Sequence, residues 1–346
     1  MSAGRHFAPL LLLVFGGGAT ANDTSATLSA GGLVFVQSED VRLLSEDLYL
    51  SMDEVRVRYE FRNEGSEDRR TLVAFPLPDI TGSPDLMVSI PTEDPENIFG
   101  FTTLFDGEPL EAELHRYAFA HNLDFTELLV GMEVPLAPFG EATLAAIAAL
   151  SDAQRGELLA KGLIVPLEFD AGQGWQTEYY PVWTLRSTYA WEAEFPAGDT
   201  VTVEHSYKPS VGGTVAVTFL APPYEGYDPA SDYAKKYCTD ESFLNAVRRT
   251  LPDSDEPYGA PFTESWLSYV WSTGANWAGP IGRFHLTIEK GAPENLVSFC
   301  WDGEVTKTSP TTFEMSAEDW YPPWDRELEV LILQRRQDEA GLNLEQ

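Results

Sequence analysis

Cysteine is almost missing from this chain, with two in 346 residues. Two sulfurs cannot build a disulfide-dense scaffold or a four-cysteine zinc site. Basic charge is thin as well: 22 Lys plus Arg stand against 55 Asp plus Glu, a formal net charge of −33. That balance excludes a duplex or RNA binder, which must meet phosphate with a basic face. No apolar run approaches the roughly 20 residues that cross a bilayer, and the stretch Val330 to Leu333 is far too short. The chain also has no G-x-S-x-G elbow, no H-E-x-x-H and no G-x-x-x-x-G-K-[ST], which removes the commonest hydrolase, zinc-peptidase and nucleotide-binding readings. What the chain does have is 43% hydrophobic and 12% aromatic residues, too many for a disordered acidic tail and enough to fill a core. Its length suits two domains at about 100–200 residues each.

The N-terminus reads as an address. Arg5 and His6 precede an apolar run from Phe7 to Phe15, small residues follow, and Ala19-Thr20-Ala21 has the A-x-A form of a cleavage site. Residues 1–21 are therefore expected to be a signal peptide cut near Ala21, leaving a periplasmic or secreted chain. Position 22 is Asn rather than Cys, so no lipid anchor is expected, and no later segment is expected to span a membrane. In an oxidising compartment Cys238 and Cys300 are expected to pair. Closing a loop of about 60 residues would stabilise by roughly 4 kcal/mol in the chain-entropy model.

Period-two alternation dominates the rest. Val55, Val57, Tyr59 and Phe61 fall on one side of a strand, with Arg56, Arg58, Glu60 and Arg62 on the other. Asn63-Glu64-Gly65 offers a turn before Thr71 to Phe75, so those two strands are expected to form a hairpin. The alternation returns in Val201 to Tyr207, Trp266 to Trp271, Phe284 to Ile288 and Leu328 to Ile332. Many short strands without a βαβ rhythm predict a mostly β chain built of immunoglobulin-like β-sandwiches.

One helical insertion is expected near 141–163, where Ser151 and Gln154 make a capping box and Gly162 a C-cap. A second, short helix is expected after Thr239 as N-cap, with Phe243, Leu244 and Val247 buried. The loop Pro222 to Asp232 is rich in Pro, Gly, Tyr and Asp. It suggests an N-terminal domain over 22–225 and a C-terminal one over 226–346.

Few residues offer chemistry. Alternation puts His205 on the apolar side of its strand with Val203 and Tyr207. It is a buried histidine or an acid/base group. His115 and His121 are spaced for neither a helical nor a strand metal pair, and His285 is expected to face solvent. The run Thr273 to Gly282 carries three glycines and a proline and presents Asn276 and Trp277. An amide beside an indole suits ligand contact, against the alternative of a loop that packs Trp277 inward. Asp253, Asp255 and Glu264 fall at positions 1, 3 and 12 of a calcium-loop count, but Tyr258 stands where that loop needs glycine. No metal or other cofactor is expected.

Several stretches together resemble an exported bacterial family known as domain of unknown function 4424. They include Gly31-Gly32-Leu33, Ser45-Glu46-Asp47-Leu48, Val73 to Pro78, Phe195-Pro196-Ala197-Gly198, His205 to Gly212, Thr273 to Gly282 and Asn295 to Cys300. The resemblance implies a periplasmic or secreted protein and carries no catalytic residue with it. The expectation is a non-catalytic envelope protein acting through loops of a sandwich on an envelope protein or glycan. An exported hydrolase using carboxylates, with His205 as acid/base, is the alternative.

Overall fold

The computed structural model describes residues 24–29, 32–84, 91–92, 94, 97–170, 172, 174–224, 226–251 and 259–336. The expected leader at 1–21 lies outside these residues, as do Asp253 and Asp255.

The strand Val55–Asn63 buries alternate residues: Val55, Val57, Tyr59, Phe61 and Asn63 face inward, and its arginines face out. It lies antiparallel between Val41–Leu50 and Thr200–Tyr207. The far side of Val41–Leu50 pairs in parallel with Ile281–Glu289, which pairs in turn with Thr312–Trp320. These are the centre of an eight-stranded sheet. A seven-stranded sheet contains Glu113–Ala120, Thr184–Phe195, Arg69–Pro76 and Thr24–Ser29. A four-stranded sheet joins Gly212–Thr214, Phe262–Tyr269, Leu328–Arg335 and Leu296–Phe299. Val57, Tyr59 and Phe61 of the first sheet, Val73, Phe75 and Trp191 of the second, and Tyr269, Val330 and Ile332 of the third share one apolar core. Each such side chain contributes about 1.5–3 kcal/mol when fully buried. The chain is thus mostly β, in packed sheets with few helices. The assembly is larger than an immunoglobulin domain, whose two sheets hold seven to nine strands in all.

The expected hairpin is replaced by an arch. Val55–Asn63 belongs to the eight-stranded sheet, whereas Arg69–Pro76 pairs with Thr184–Phe195 and Thr24–Ser29 in the other. Both strands need to bury an apolar side, and facing each other across a core buries both at once. Asn63 holds the arch, its fully buried amide donating to the carbonyls of Phe195 and Glu67 and accepting from the N–H of Gly65.

One extra residue matters more than its size suggests. Val41 and Leu43 are buried at odd positions, Leu48 and Leu50 at even ones. A β-bulge between Leu43 and Ser45 absorbs the change of parity, and it carries Glu46 inward with the leucines. Gly282 lies against this bulge: a Cβ there would come 2.6 Å from the Leu44 carbonyl oxygen.

The helical insertion is present as Glu141–Ala149 and Asp152–Ala160, the second capped by Ser151 in a complete capping box with Gln154. With helix Thr126–Gly131 and the ribbon Ile164–Asp170/Trp175–Pro181 it packs around Trp183 in a satellite core. The helix expected after Thr239 is Glu241–Arg248, and its N-cap is Asp240, whose carboxylate accepts from the Phe243 N–H. Part of the loop chosen as a domain boundary is helix Pro229–Tyr237, N-capped by Asp228 with proline at its start. These two helices cover the outer face of the four-stranded sheet. The parallel pair Val41–Leu50/Ile281–Glu289 crosses the expected boundary at 225/226, so the two segments share a sheet and a core.

Candidate functional site

Cys238 and Cys300 are bonded, joining the end of helix Pro229–Tyr237 to the end of strand Leu296–Phe299. Cys238 takes the left-handed conformation that ends the helix.

His205 is 3% exposed. Its ring lies among Phe75, Phe101 and Trp191 at centroid distances of 4.8, 5.1 and 5.2 Å. Its Nδ1 is 3.1 Å from the Thr103 hydroxyl. A histidine so enclosed packs as part of the aromatic core. A groove of about 320 Å3 on the outer side of the same strand is lined by Arg58, Glu204, His205 and Ser206, of which Glu204 and Ser206 alternate away from the core.

The Thr273–Gly282 run is a packing element. Trp277 is 1% exposed, with its ring 4.6 Å from Phe61 and 5.9 Å from Phe195. Asn276 donates to the Thr24 hydroxyl, and its carbonyl accepts from the Ser38 N–H. Both groups expected to present themselves to a ligand are spent inside the protein. Glu264 is likewise enclosed, accepting from the Thr218 N–H at 2.5 Å and the Tyr233 hydroxyl at 2.5 Å. Burial raises its pKa. It ties helix Pro229–Tyr237 to the sheet. Among the described residues no group of three or more His, Cys, Asp or Glu is placed to hold a metal ion. His285, half-buried on the outer side of its sheet, has Nδ1 2.7 Å from Asp47.

A roomier concavity lies elsewhere, where the helical insertion meets the seven-stranded sheet. It encloses about 580 Å3 and has Ile98, Val134, Leu136, Phe139 and Leu185 among its walls, with Arg116 and Asp94 as its charged groups. Its walls are held from outside. The Trp183 indole donates to the Leu136 carbonyl at 2.7 Å, and the Thr143 hydroxyl donates to the Ala137 carbonyl at 2.8 Å. The segment bearing Ile98 is fixed by Asn97, which exchanges hydrogen bonds with the Phe101 backbone and accepts the Tyr189 hydroxyl at 2.6 Å. Burial raises the Tyr189 pKa, Arg116 opposes it and Asp94 adds to it, so the three lie within electrostatic reach of one another. The volume falls within the about 300–1,000 Å3 of small-molecule sites, which are apolar with a few polar groups.

Sequence reasoning passed over these residues because their elements are far apart in the chain. Arg116 comes from a strand, Asp94 from a loop and Phe139 from the lead-in to a helix. The one available signal was the apolar loop Val134-Pro135-Leu136-Ala137-Pro138-Phe139, too hydrophobic for an ordinary solvated connection.

Fold and site together define a mostly β protein with an apolar cavity beside its seven-stranded sheet. The chain belongs to the family described as "Domain of unknown function (DUF4424)", which matches residues 21–331. No curated protein matches it. Among solved structures it is similar to a Legionella pneumophila protein named provisionally for nutrient binding, at 13% identity and a TM-score of 0.42, over 90% of this chain and 70% of that one. It is also similar to an M1 zinc metallopeptidase of Deinococcus radiodurans, at 8% identity and a TM-score of 0.27, over 86% of this chain and 43% of that one. Scores this low carry no functional argument.

Proposed function

We propose that this is an exported, non-catalytic binding protein that takes a small, mainly apolar molecule in the cavity between the helical insertion and the seven-stranded sheet. The observation that carries the reading is the cavity itself, about 580 Å3, apolar on most sides, with Arg116 and Asp94 as its charged groups and Thr92 and Thr143 as its hydroxyls. Such a lining favours a ligand with a hydrocarbon body and one hydrogen-bonding end. Export is supported by the leader pattern at 1–21 and by the Cys238–Cys300 bond, which suits an oxidising compartment.

Titration with the fluorescent apolar probe N-phenyl-1-naphthylamine tests it. The probe is expected to bind the full mature chain at one site with micromolar affinity. Ala142→Trp, on an exposed helix position at the cavity wall, is expected to abolish that binding while the protein stays folded. Absence of saturable binding, or equal binding by the variant, overturns the reading.

A further inference from the structure

A second cavity, of about 290 Å3, opens where the four-stranded sheet, the segment Pro78 to Thr81 and helix Pro229–Tyr237 converge. Its chemistry differs from the first. Lys236 from the helix and Glu329 from the sheet both line it, with Nζ 3.5 Å from the carboxylate. Asp79, also on the wall, is held in a two-contact pair by Arg186. Burial raises the pKa of both carboxylates. Trp266, on the sheet face that carries Glu329, supplies an apolar wall, and the nearly buried Phe99 and Leu267 of the main core close its edge. Tyr207, 2% exposed, lines the cavity too, and its hydroxyl has no hydrogen-bond partner. Glu329 shares its strand face with the buried Leu331 and Leu333.

An ammonium has three donors and a carboxylate about four acceptor sites, so a single contact at 3.5 Å leaves Lys236 and Glu329 most of their capacity. A zwitterion carries its own ammonium and carboxylate on one carbon. It can lie head to tail along such a pair, its carboxylate on the lysine and its ammonium on the glutamate. A lone cation or anion would satisfy one member and crowd the other.

We infer that this cavity binds a free α-amino acid with an apolar side chain, its charged groups paired with Lys236 and Glu329 and its side chain against Trp266. The site is separate from the apolar cavity and stands or falls independently of it. At the lower end of the about 300–1,000 Å3 range for small-molecule sites, it admits a single amino acid rather than a peptide.

Isothermal titration of the full mature chain tests this with L-valine, L-leucine, L-methionine and L-phenylalanine. Isopentylamine and 4-methylpentanoate serve as leucine analogues lacking one charge each. At least one amino acid is expected to bind at one site. If it is leucine, each analogue is expected to bind at least tenfold more weakly. Lys236→Met and Glu329→Gln are each expected to weaken binding at least tenfold. Ser268→Phe, at a half-buried wall position directly across the strand pair from Glu329, fills the space beside the ion pair and is expected to abolish binding. Ala142→Trp is expected to leave amino-acid binding unchanged. No heat with any of the four amino acids overturns the inference, as does equal binding of an analogue or undiminished binding to folded Ser268→Phe.

Discussion

Glu327 accepts from the Ser272 hydroxyl at 2.6 Å and the Trp271 N–H at 2.9 Å, yet burial still pushes its pKa up to about 7. A carboxyl raised above its ordinary 4.5 binds protons more readily folded than unfolded. Its contribution is therefore favourable in acid and is lost as pH rises between those two values. Stability is expected to fall across that window by up to about 3 kcal/mol through this group alone, less in proportion to its partial exposure to water. Denaturant titrations of wild type and Glu327→Gln at pH 5 and pH 8 check it, the variant being expected to show the smaller difference. Trp277 gives a second residue-scale prediction. Packed against Phe61 and Phe195 in the shared core, it leaves a large void when removed. Trp277→Ala is expected to cost about 3–5 kcal/mol, and an unchanged midpoint in urea would return the residue to the ligand-contact reading.

The strand Val41–Leu50 shows what a single insertion does to an element. With Leu44 outside the regular pairing, Glu46 enters the core, where it accepts from Tyr269 at 3.3 Å, and the Tyr269 and Tyr59 hydroxyls lie 2.9 Å apart. The parity change between Leu43 and Leu48 was visible in the sequence; its consequence for Glu46 needed the register. Gly282 is the complement of that bulge. Gly282→Ala is expected to cost about 1–3 kcal/mol by forcing the parallel pair apart, read by thermal unfolding. At the helical level the capping box at Ser151 was legible because hydroxyl and amide are three residues apart and need no partner elsewhere. The Thr239 cap was displaced by one residue because Asp240 offers the stronger acceptor next door. Reducing Cys238–Cys300, which staples a helix to a strand across 62 residues, is expected to lower stability by about 4 kcal/mol. Calorimetry with and without a phosphine reductant measures it.

For the whole molecule, several buried carboxyls act in one direction. Burial raises the pKa of Asp79, Glu264, Glu327 and Glu329 alike, and a formal charge of −33 adds self-repulsion. The melting temperature is accordingly expected to be higher at pH 5.5 than at pH 8, and to rise with added sodium chloride at pH 8 as surface repulsion is screened. A melting temperature that climbs with pH would contradict both causes. What the sequence by itself determined was everything carried by near neighbours. The acidic excess follows from composition, the strands from alternation, one helix start from its cap, and the inward face of His205 from its place beside Val203 and Tyr207. Tertiary structure decided which strands pair and which residues meet. Val55–Asn63 and Arg69–Pro76 sit in opposite sheets, and a strand near residue 45 completes its sheet with one near residue 285. Arg116 joins Asp94, and Lys236 joins Glu329, across the chain. The physical reason is that alternation reports which side of a strand is apolar but not which apolar surface it will meet. That choice belongs to the packing of all the sheets at once, and the cavities are what such packing leaves open.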